Sequence, residues 1–293
     1  MRSLLFVPAD SPRKLAKALG SNADAIIVDL EDSIAPGAKA EARASSAAFV
    51  RDAVAVPERP FVCVRVNGLA SGLIDADLAA IVAAQPDAIM LPKAEGAASI
   101  LHADAKLAAQ EAMHGIADGH TKIIAMAIES AAGFFLAGTI RRQSARLIAL
   151  SWGAEDLAAE LGAESNRDSA GRYTSPYSQA RDLCLMAAAA AEVLPIETIY
   201  MDYRDSEGLR RDCAEARREG FAGRLAIHPA QVPIINEAFT PTESALTRAR
   251  AIIAAFAASP GAGVVGIDGV MYDRPHLLRA QRLIARAKGL SGP

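Results

Sequence analysis

The chain has 293 residues, of which 52% are hydrophobic and 22% are charged, and its formal net charge at neutral pH is −3. This charge excludes the strongly basic surface that is typical of nucleic-acid-binding proteins. Charged residues interrupt the most apolar stretches before they reach the ~20 residues that a membrane-spanning helix needs. We therefore predict neither a nucleic-acid partner nor a membrane partner.

The three cysteines, Cys63, Cys184 and Cys213, lie far apart in the sequence. They form no Cys-x-x-Cys pair and none of the Cys/His spacings of a metal site. No secretory signal is visible before the first strand-like stretch. These features predict reduced cysteines and a cytoplasmic protein.

Short runs rich in β-branched residues alternate with longer Ala- and Leu-rich stretches along most of the chain. Most of the short runs are continuously apolar, as expected for strands that are buried on both faces. They predict eight strands, at Ser3–Pro8, Ala25–Leu30, Phe61–Asn67, Ala88–Pro92, Ile123–Ile128, Leu147–Ser151, Thr198–Asp202 and Arg224–His228.

The stretches between these strands carry the spacing and the punctuation of helices. The first is opened by Ser11 and Pro12 and closed by Gly20, and the others are predicted at Lys39–Val50, Asp75–Ala84, Ala97–Met113, Ala131–Arg142, Tyr177–Val193, Glu207–Glu219 and Gln231–Phe239. Eight strand–helix repeats predict an α/β fold, a TIM-type (β/α)₈ barrel over residues 1–239. The main alternative, an open doubly wound sheet, would have fewer strands and a Gly-rich first turn, and no Gly-x-Gly-x-x-Gly follows the first strand.

Residues 240–293 extend beyond the eighth repeat and are too short for an independent domain. Thr240–Glu243 resembles the start of a capped helix that runs to Ala258. Asp268-Gly269 is a strong two-residue hairpin signal between Val264–Ile267 and Val270–Tyr272, and Pro275–Lys288 is predicted as a final helix. We expect this segment to form an arm or lid, either on the barrel or on a neighbouring subunit.

Polar residues follow the predicted strands at the end where barrel enzymes form their active sites. They include Arg65 and Lys93, and the carboxylates Glu129 and Asp156, as well as the acidic segment Asp29–Asp32. Oxygen ligands from separate strand ends suit a hard cation such as Mg²⁺ better than Zn²⁺, which would require His or Cys ligands. No Ser–His–Asp arrangement is defensible, and Lys93 resembles part of a strand-end loop more than a Schiff-base lysine.

Each candidate also has a structural interpretation. Glu129 could cap the following helix, although a charge that ends an apolar strand is costly unless it is used. Asp156 could serve only the dipole of a helix N-terminus. Arg65 could pair with Glu31 or Asp32, which does not exclude a contact with substrate.

Seven segments, in chain order, are similar to motifs of a known family: Ser3–Ala9, Asp29–Pro36, Val64–Gly68, Met90–Lys93, Ile128–Gly133, Gly153–Leu157 and Ala226–Gln231. They resemble the citrate lyase beta-subunit-like branch of the HpcH/HpaI aldolase and malyl-CoA lyase family. Because the matches fall in order from the first strand to the C-terminal arm, the resemblance covers nearly the whole chain. The resemblance implies a TIM barrel, bound Mg²⁺, and cleavage or formation of a carbon–carbon bond in a 3-hydroxyacyl thioester.

The resemblance also implies roles for particular residues. Glu129 and Asp156 would bind the metal, Glu129 would also contact the substrate, and Arg65 would be both a catalytic and a substrate-binding residue. Asp273 resembles the acid–base residue of the family's C-terminal arm, which enters a neighbouring subunit's site in relatives and implies a homotrimer or hexamer. The Asp29–Asp32 segment would surround the metal-bound waters, and we expect Arg65→Ala to abolish turnover while the fold stays intact.

The chain departs from some coenzyme A lyases, which carry an Arg where this chain has Ser11. Arg13, Lys14 and Lys17 are the cations available for the phosphates of coenzyme A or of an acyl-carrier-protein prosthetic group, although on residue type alone they equally fit a solvated helix face. The expected reaction splits malyl-CoA or citramalyl-CoA into acetyl-CoA and a 2-oxo acid. The alternatives are a citryl-ACP lyase subunit, a metal-dependent 2-oxo-acid aldolase, a thioester hydrolase and a non-catalytic binding protein.

Overall fold

The first eight strands close into one parallel barrel in the computed structural model of the protein, which describes residues 1–290. Each strand pairs with the next in sequence, and β1 also pairs with β8, in a register that runs from Ser3↔Arg224 to Leu5↔Ala226. The strands are β1 (Ser3–Pro8), β2 (Ala25–Asp29), β3 (Phe61–Arg65), β4 (Ala88–Leu91), β5 (Lys122–Ile128), β6 (Leu147–Trp152), β7 (Leu194–Glu197) and β8 (Gly223–Ala226). The predicted barrel is therefore confirmed.

Side chains from every strand fill the inside of the barrel. Leu4, Ile27, Met90, Met126 and Leu225 are buried members of this cluster. Each large apolar side chain contributes about 1.5–3 kcal/mol when it leaves water, so the interior is a packed core rather than a pore. Polar side chains with a chemical role are therefore expected at the ends of the strands.

Helices connect the strands. They are α1 (Pro12–Ala18), α2 (Lys39–Val54), α3 (Ile74–Ile81), α4 (Gly96–Met113), α5 (Ala131–Leu136), α6 (Ala154–Leu161), α7 (Ser175–Ala191), α8 (Ser206–Glu219) and α9 (Gln231–Phe239). All but α6 were predicted, with the helix at Ala131–Arg142 shorter than expected because it ends in a 3-10 turn at Ala137–Thr139. No helix within residues 1–290 is both long and apolar enough to span a bilayer.

The predicted position of the seventh strand was wrong. Thr198–Asp202 has strong strand propensity, but β7 lies at Leu194–Glu197. Pro195 is tolerated there because the strand makes only two pairings with each neighbour, one of them Leu150↔Pro195. The segment that follows is therefore a loop, which places Thr198 and Ile199 in the wall of a cavity.

The chain divides into two compact units, residues 1–238 and residues 239–293. The second unit contains α10 (Glu243–Ala258), a hairpin of β9 (Val264–Ile267) and β10 (Val270–Asp273), and α11 (Arg274–Leu290). Its core includes Ile252, Phe256, Val265 and Tyr272. The helices and hairpin predicted here are present, while residues 291–293 of the predicted arm lie outside the described residues.

A buried ion-pair cluster fixes the start of β6. The Arg146 guanidinium is 2% exposed and contacts the Glu111 carboxylate at 2.7 and 2.8 Å and the Asp104 carboxylate at 2.6 Å. Burial alone would raise the pKa of Glu111, but Arg146 and the backbone N–H groups of Thr121 and Gly119 lower it below its ordinary value. The folded state therefore stabilises the ionised form of Glu111.

We expect Glu111→Gln to lower the free energy of unfolding by about 3 kcal/mol at neutral pH, because the buried Arg146 loses the negative charge of one of its carboxylate partners. A lowered pKa in the folded state gives stability that is present above the ordinary pKa of 4.5 and is lost as the pH falls through the folded value. The difference between variant and wild type should therefore shrink as the pH falls below 4.5. Urea unfolding at neutral and at acid pH measures it, with the exposed Glu237→Gln as control, and a difference independent of pH would contradict this role.

Candidate active site

The carboxyl ends of the barrel strands surround a cavity of about 270 Å³. Its lining combines apolar side chains from the barrel with charged groups at the ends of β2 and β3 and just after β5 and β6. The charged groups include Asp29, Arg65, Glu129 and Asp156. Three of the residues predicted to carry the chemistry therefore share one cavity.

Glu129 directly follows β5 and is 4% exposed. One of its carboxylate oxygens accepts a hydrogen bond of 2.6 Å from the backbone N–H of Lys93. Burial raises the pKa of Glu129 to about 8, and the nearby carboxylates of Asp156 and Glu31 raise it too, while the Lys93 N–H and Arg65 oppose the shift. This position is costly for a negative charge, so it favours a bound cation as partner.

Gly153 leaves the space that Glu129 occupies. A Cβ atom on Gly153 would stand 2.7 Å from Glu129 Oε1 and 2.8 Å from its Cγ. The backbone of Gly153, at φ −125° and ψ 107°, is accessible to any residue. Glycine is therefore needed here for space and not for conformation.

Asp156 lies in the first turn of α6, and its side chain is 33% exposed. Ala154, Glu155 and Asp156 line the cavity. Because the N-cap residue, Gly153, has no side chain, it cannot cap the N–H groups of this turn. A helix N-terminus in this state is suited to bind an anionic group such as a carboxylate.

Arg65 is held rigidly at the end of β3. Its Nε and Nη2 each donate to the Asp29 carboxylate at 2.7 Å, and Nη1 lies 2.9 Å from a Glu31 oxygen. The guanidinium also stands over the Phe6 ring, 4.8 Å from its centre. Burial alone would raise the pKa of Asp29, but Arg65 holds it below its ordinary value, so the pair is charged.

Lys93 takes part in the site in a way that sequence reasoning missed. Its Nζ lies 2.8 Å from Glu31 Oε1, 3.3 Å from Asp156 Oδ1 and 3.8 Å from Asp32 Oδ2. Its backbone adopts a left-handed conformation with φ 50°, and its N–H reaches Glu129. In the sequence, Pro92 before it and Glu95 after it make Lys93 resemble part of a strand-end loop, which gives no signal for either contact.

The cluster has more negative than positive charge. Five carboxylates surround two cations in the described part of the chain: Asp29, Glu31, Asp32, Glu129 and Asp156 against Arg65 and Lys93. One Glu31 oxygen is buried without a hydrogen-bond donor. Within residues 1–290 no three His, Cys, Asp or Glu side chains are arranged to enclose a metal ion. Glu129 and Asp156 could thus hold a divalent cation that takes its other ligands from water and substrate.

Hydrogen bonds hold Trp152, the residue before Gly153, in place. The Trp152 indole N–H donates to Glu197 Oε1 at 2.7 Å, and Glu197 also accepts from Arg181 Nε at 2.5 Å and from Thr198 N at 2.9 Å. Trp152 and Glu197 are buried. Glu197 escaped sequence reasoning because the seventh strand was predicted after it rather than ending at it.

The remaining predicted residues lie apart from the charged cluster or outside the barrel unit. Arg13, Lys14 and Lys17 are exposed on α1, which follows β1 at the same end of the barrel as the cavity. Asp273 ends β10 in the second unit and contacts His276 Nδ1. The hydrogen bond from His276 lowers the pKa of Asp273 below its ordinary value.

Comparisons with known proteins identify the family of the chain. The family model described as HpcH/HpaI aldolase/citrate lyase matches residues 2–229. The chain is 35% identical to a (3S)-malyl-CoA thioesterase of Cereibacter sphaeroides, covering 99% of this chain and 95% of that one. It is 32% identical to the mitochondrial citramalyl-CoA lyase of Rattus norvegicus, covering 99% and 86%.

A solved structure is similar over almost the same length. It is the crystal structure of protein CitE from Mycobacterium tuberculosis in complex with magnesium, acetoacetate and coenzyme A, which covers 98% of each chain with a TM-score of 0.76 and 33% identity. The resemblance drawn from the seven motifs is thereby confirmed. The chain belongs to the HpcH/HpaI aldolase/citrate lyase family.

Proposed function

We propose that the protein is a Mg²⁺-dependent carbon–carbon lyase that splits a malyl-CoA or citramalyl-CoA type thioester into acetyl-CoA and a 2-oxo acid. The observation that carries the proposal is the excess of carboxylates around one immobilised arginine at the mouth of the barrel. The magnesium and coenzyme A in the structure of the Mycobacterium relative and the activity of the rat relative support it.

Glu129 and Asp156 fit a magnesium ion because both are oxygen ligands in a cluster in which carboxylates outnumber the cations. Mg²⁺ often takes only one or two carboxylates and keeps water or substrate oxygens as its other ligands. When bound, the ion would polarise the hydroxyl and carboxylate oxygens of the substrate as a Lewis acid. The free N–H groups at the start of α6 would bind the substrate carboxylate beside it.

Arg65 would bind the oxygen that becomes negative in the reaction. The guanidinium has five N–H hydrogens, of which the two hydrogen bonds to Asp29 use two. Nη1 faces a Glu31 oxygen at 2.9 Å without a hydrogen bond, so hydrogens on both terminal nitrogens are left for the thioester oxygen. As the bond between the two carbons breaks, its electrons pass to the acetyl thioester, and Arg65 stabilises the resulting enolate oxygen.

We propose Asp273 as the group that exchanges a proton with the enolate carbon. In cleavage the hydroxyl proton would pass to water, and Asp273, protonated from water, would deliver one proton to the enolate carbon. In condensation the ionised carboxylate would remove that proton from acetyl-CoA. Its lowered pKa favours the ionised form that condensation needs. Because the arm that Asp273 resembles enters a neighbouring subunit's site in relatives, we propose a homotrimer or hexamer, which sedimentation would measure.

Arg13, Lys14 and Lys17 would bind the carrier's phosphates from α1, and we propose coenzyme A as the carrier. An acyl carrier protein bearing a citryl group is the alternative. The three cysteines are free and buried, which supports the proposed cytoplasmic location. The thioesterase among the relatives makes thioester hydrolysis a second candidate activity.

The products formed from a panel of thioesters distinguish these functions. Malyl-CoA, citramalyl-CoA and β-methylmalyl-CoA would be incubated with enzyme and Mg²⁺ and separated by chromatography. A lyase releases acetyl-CoA or propionyl-CoA with a 2-oxo acid, whereas a thioesterase releases free coenzyme A and the hydroxy acid. We expect the first pattern, and no turnover of any of the three would favour the carrier-protein substrate.

Gly153→Ala is expected to lower turnover and Mn²⁺ affinity at least about 100-fold, because the new methyl group must displace the buried Glu129 carboxylate. The fold should persist, since an alanine fits the backbone at this position. Gly138→Ala is the matched control, because its added Cβ meets no atom within 4 Å. Metal titration and melting temperature are the readouts, and wild-type Mn²⁺ affinity in Gly153→Ala would refute the positioning role.

A further inference from the structure

Lys93 occupies a backbone conformation that a lysine does not favour. Its φ of 50° lies in the left-handed region, where glycine is comfortable and a side chain causes strain. Such strain persists only where the surroundings hold the residue in place, and it concentrates at functional sites. Although the Lys93 side chain is 44% exposed, its ammonium group lies within 2.8 Å of the acidic cluster, which is a contact that the strained backbone supports.

The ammonium serves three carboxylates at once. It lies closest to Glu31, at 2.8 Å, and also faces Asp156 at 3.3 Å and Asp32 at 3.8 Å. These carboxylates would otherwise repel one another, because Arg65 is already committed to Asp29 and to the other Glu31 oxygen.

We propose that the Lys93 ammonium is the resident counter-ion of the metal site, and that a divalent cation binds by displacing it from Asp156. The inference rests on the proposed function, because it takes Glu129 and Asp156 as the metal ligands. It adds that metal binding is an exchange of cations rather than the filling of an open site. Lys93 would keep the metal-free cluster folded and would also weaken its affinity for the metal.

The exposure of the two cations indicates that the Lys93 ammonium can leave the cluster, whereas the Arg65 guanidinium cannot. The Lys93 side chain is 44% exposed and that of Asp156 is 33% exposed, so the ammonium can withdraw toward water. The Arg65 side chain is 12% exposed and makes two hydrogen bonds to a buried carboxylate. A lysine, which is a single charge on a flexible stem, suits the exchange better than an arginine.

Two variants separate the effect of the ammonium charge from the effect of the backbone strain. Lys93→Met removes the ammonium and keeps the strained backbone, whereas Lys93→Gly removes the ammonium and relieves the strain. Both keep the backbone N–H that holds Glu129. Lys106→Met is the control for loss of one positive charge, because Lys106 pairs with the exposed Asp75 on the surface.

The experiment titrates the metal-free, full-length proteins with Mn²⁺, which accepts the same oxygen ligands as Mg²⁺, and follows binding by calorimetry. Removing a positive charge this close to Asp156 should lower the Mn²⁺ Kd at least about tenfold in both Lys93 variants and leave it unchanged in Lys106→Met. Both Lys93 variants should also melt earlier than wild type without metal, Lys93→Met more so, and regain most of the difference in saturating Mg²⁺.

An unchanged or weakened Mn²⁺ affinity in the Lys93 variants would overturn the exchange. A decrease in the melting temperature of the Lys93 variants that is the same with and without Mg²⁺ would overturn it as well, because it would show that Lys93 has only a structural role. The wild-type titration tests the proposed metal site separately. Absence of Mn²⁺ binding there would refute the metal site and the exchange together, whereas wild-type binding without a change in the variants would refute the exchange alone.

Discussion

Replacing Glu129 with Gln is expected to remove metal binding and to lower turnover at least ~1,000-fold, an increase in the activation barrier of about 4 kcal/mol. Glutamine has nearly the same shape, so the hydrogen bond from the Lys93 backbone N–H can persist. It lacks the charge that a divalent cation needs, and Asp156 alone would remain. Mn²⁺ titration and the rate of acetyl-CoA release measure the two effects.

The same substitution should not weaken the fold. Burial raises the pKa of Glu129 to about 8, so the folded protein disfavours its charged form, and a neutral side chain relieves that cost. We therefore expect metal-free Glu129→Gln to melt at or above the wild-type temperature, a gain in stability at the expense of activity. Glu164→Gln, in an exposed loop, is the control. Turnover close to wild type in Glu129→Gln would exclude the carboxylate from catalysis.

Arg65→Ala is expected to lower turnover at least ~1,000-fold, because it removes the donor to the enolate oxygen. We also expect the variant to be less stable than wild type. Arg65 neutralises Asp29, whose side chain is 3% exposed, and a buried charge without its partner costs about 3–5 kcal/mol. A loss of activity in this variant alone would therefore mix a chemical effect with a structural one.

The double variant Asp29→Asn/Arg65→Ala separates the two effects. Neutralising Asp29 removes the unpaired buried charge, so we expect urea unfolding to show most of the lost stability restored. Turnover should stay as low as in Arg65→Ala, because the donor is still absent. Recovery of turnover together with stability would show that Arg65 acts only through Asp29.

The barrel could be predicted because its signal is repeated eight times. Eight repeats of a continuous apolar run, such as Ala25–Leu30, and a following stretch with helical spacing are compatible with few other folds. One misplaced strand does not change the predicted topology. The seventh strand was misplaced because local propensity favoured Thr198–Asp202, whereas pairing with β6 and β8 selects Leu194–Glu197. The helix α6 was missed because eight residues give little periodicity.

The chemistry was predictable where it depends on residue type and strand position. Glu129 and Asp156 follow adjacent strands, so both were expected at the mouth of the barrel. The roles of Gly153 and Lys93 depend on a clearance of 2.7 Å and on a left-handed backbone, and neither leaves a mark in a single sequence. The pairing of Arg65 with Asp29 rather than Asp32 likewise depends on strand register, which aligns Asp29 with Arg65.

One measurement tests the central claim most directly: acetyl-CoA release from malyl-CoA and citramalyl-CoA by wild type and Glu129→Gln, each with Mg²⁺ and with EDTA. We predict release from at least one substrate by wild type with Mg²⁺ alone, and none in the other three conditions. Release that persists in EDTA, or that Glu129→Gln supports at the wild-type rate, would contradict a magnesium-dependent lyase built on this carboxylate.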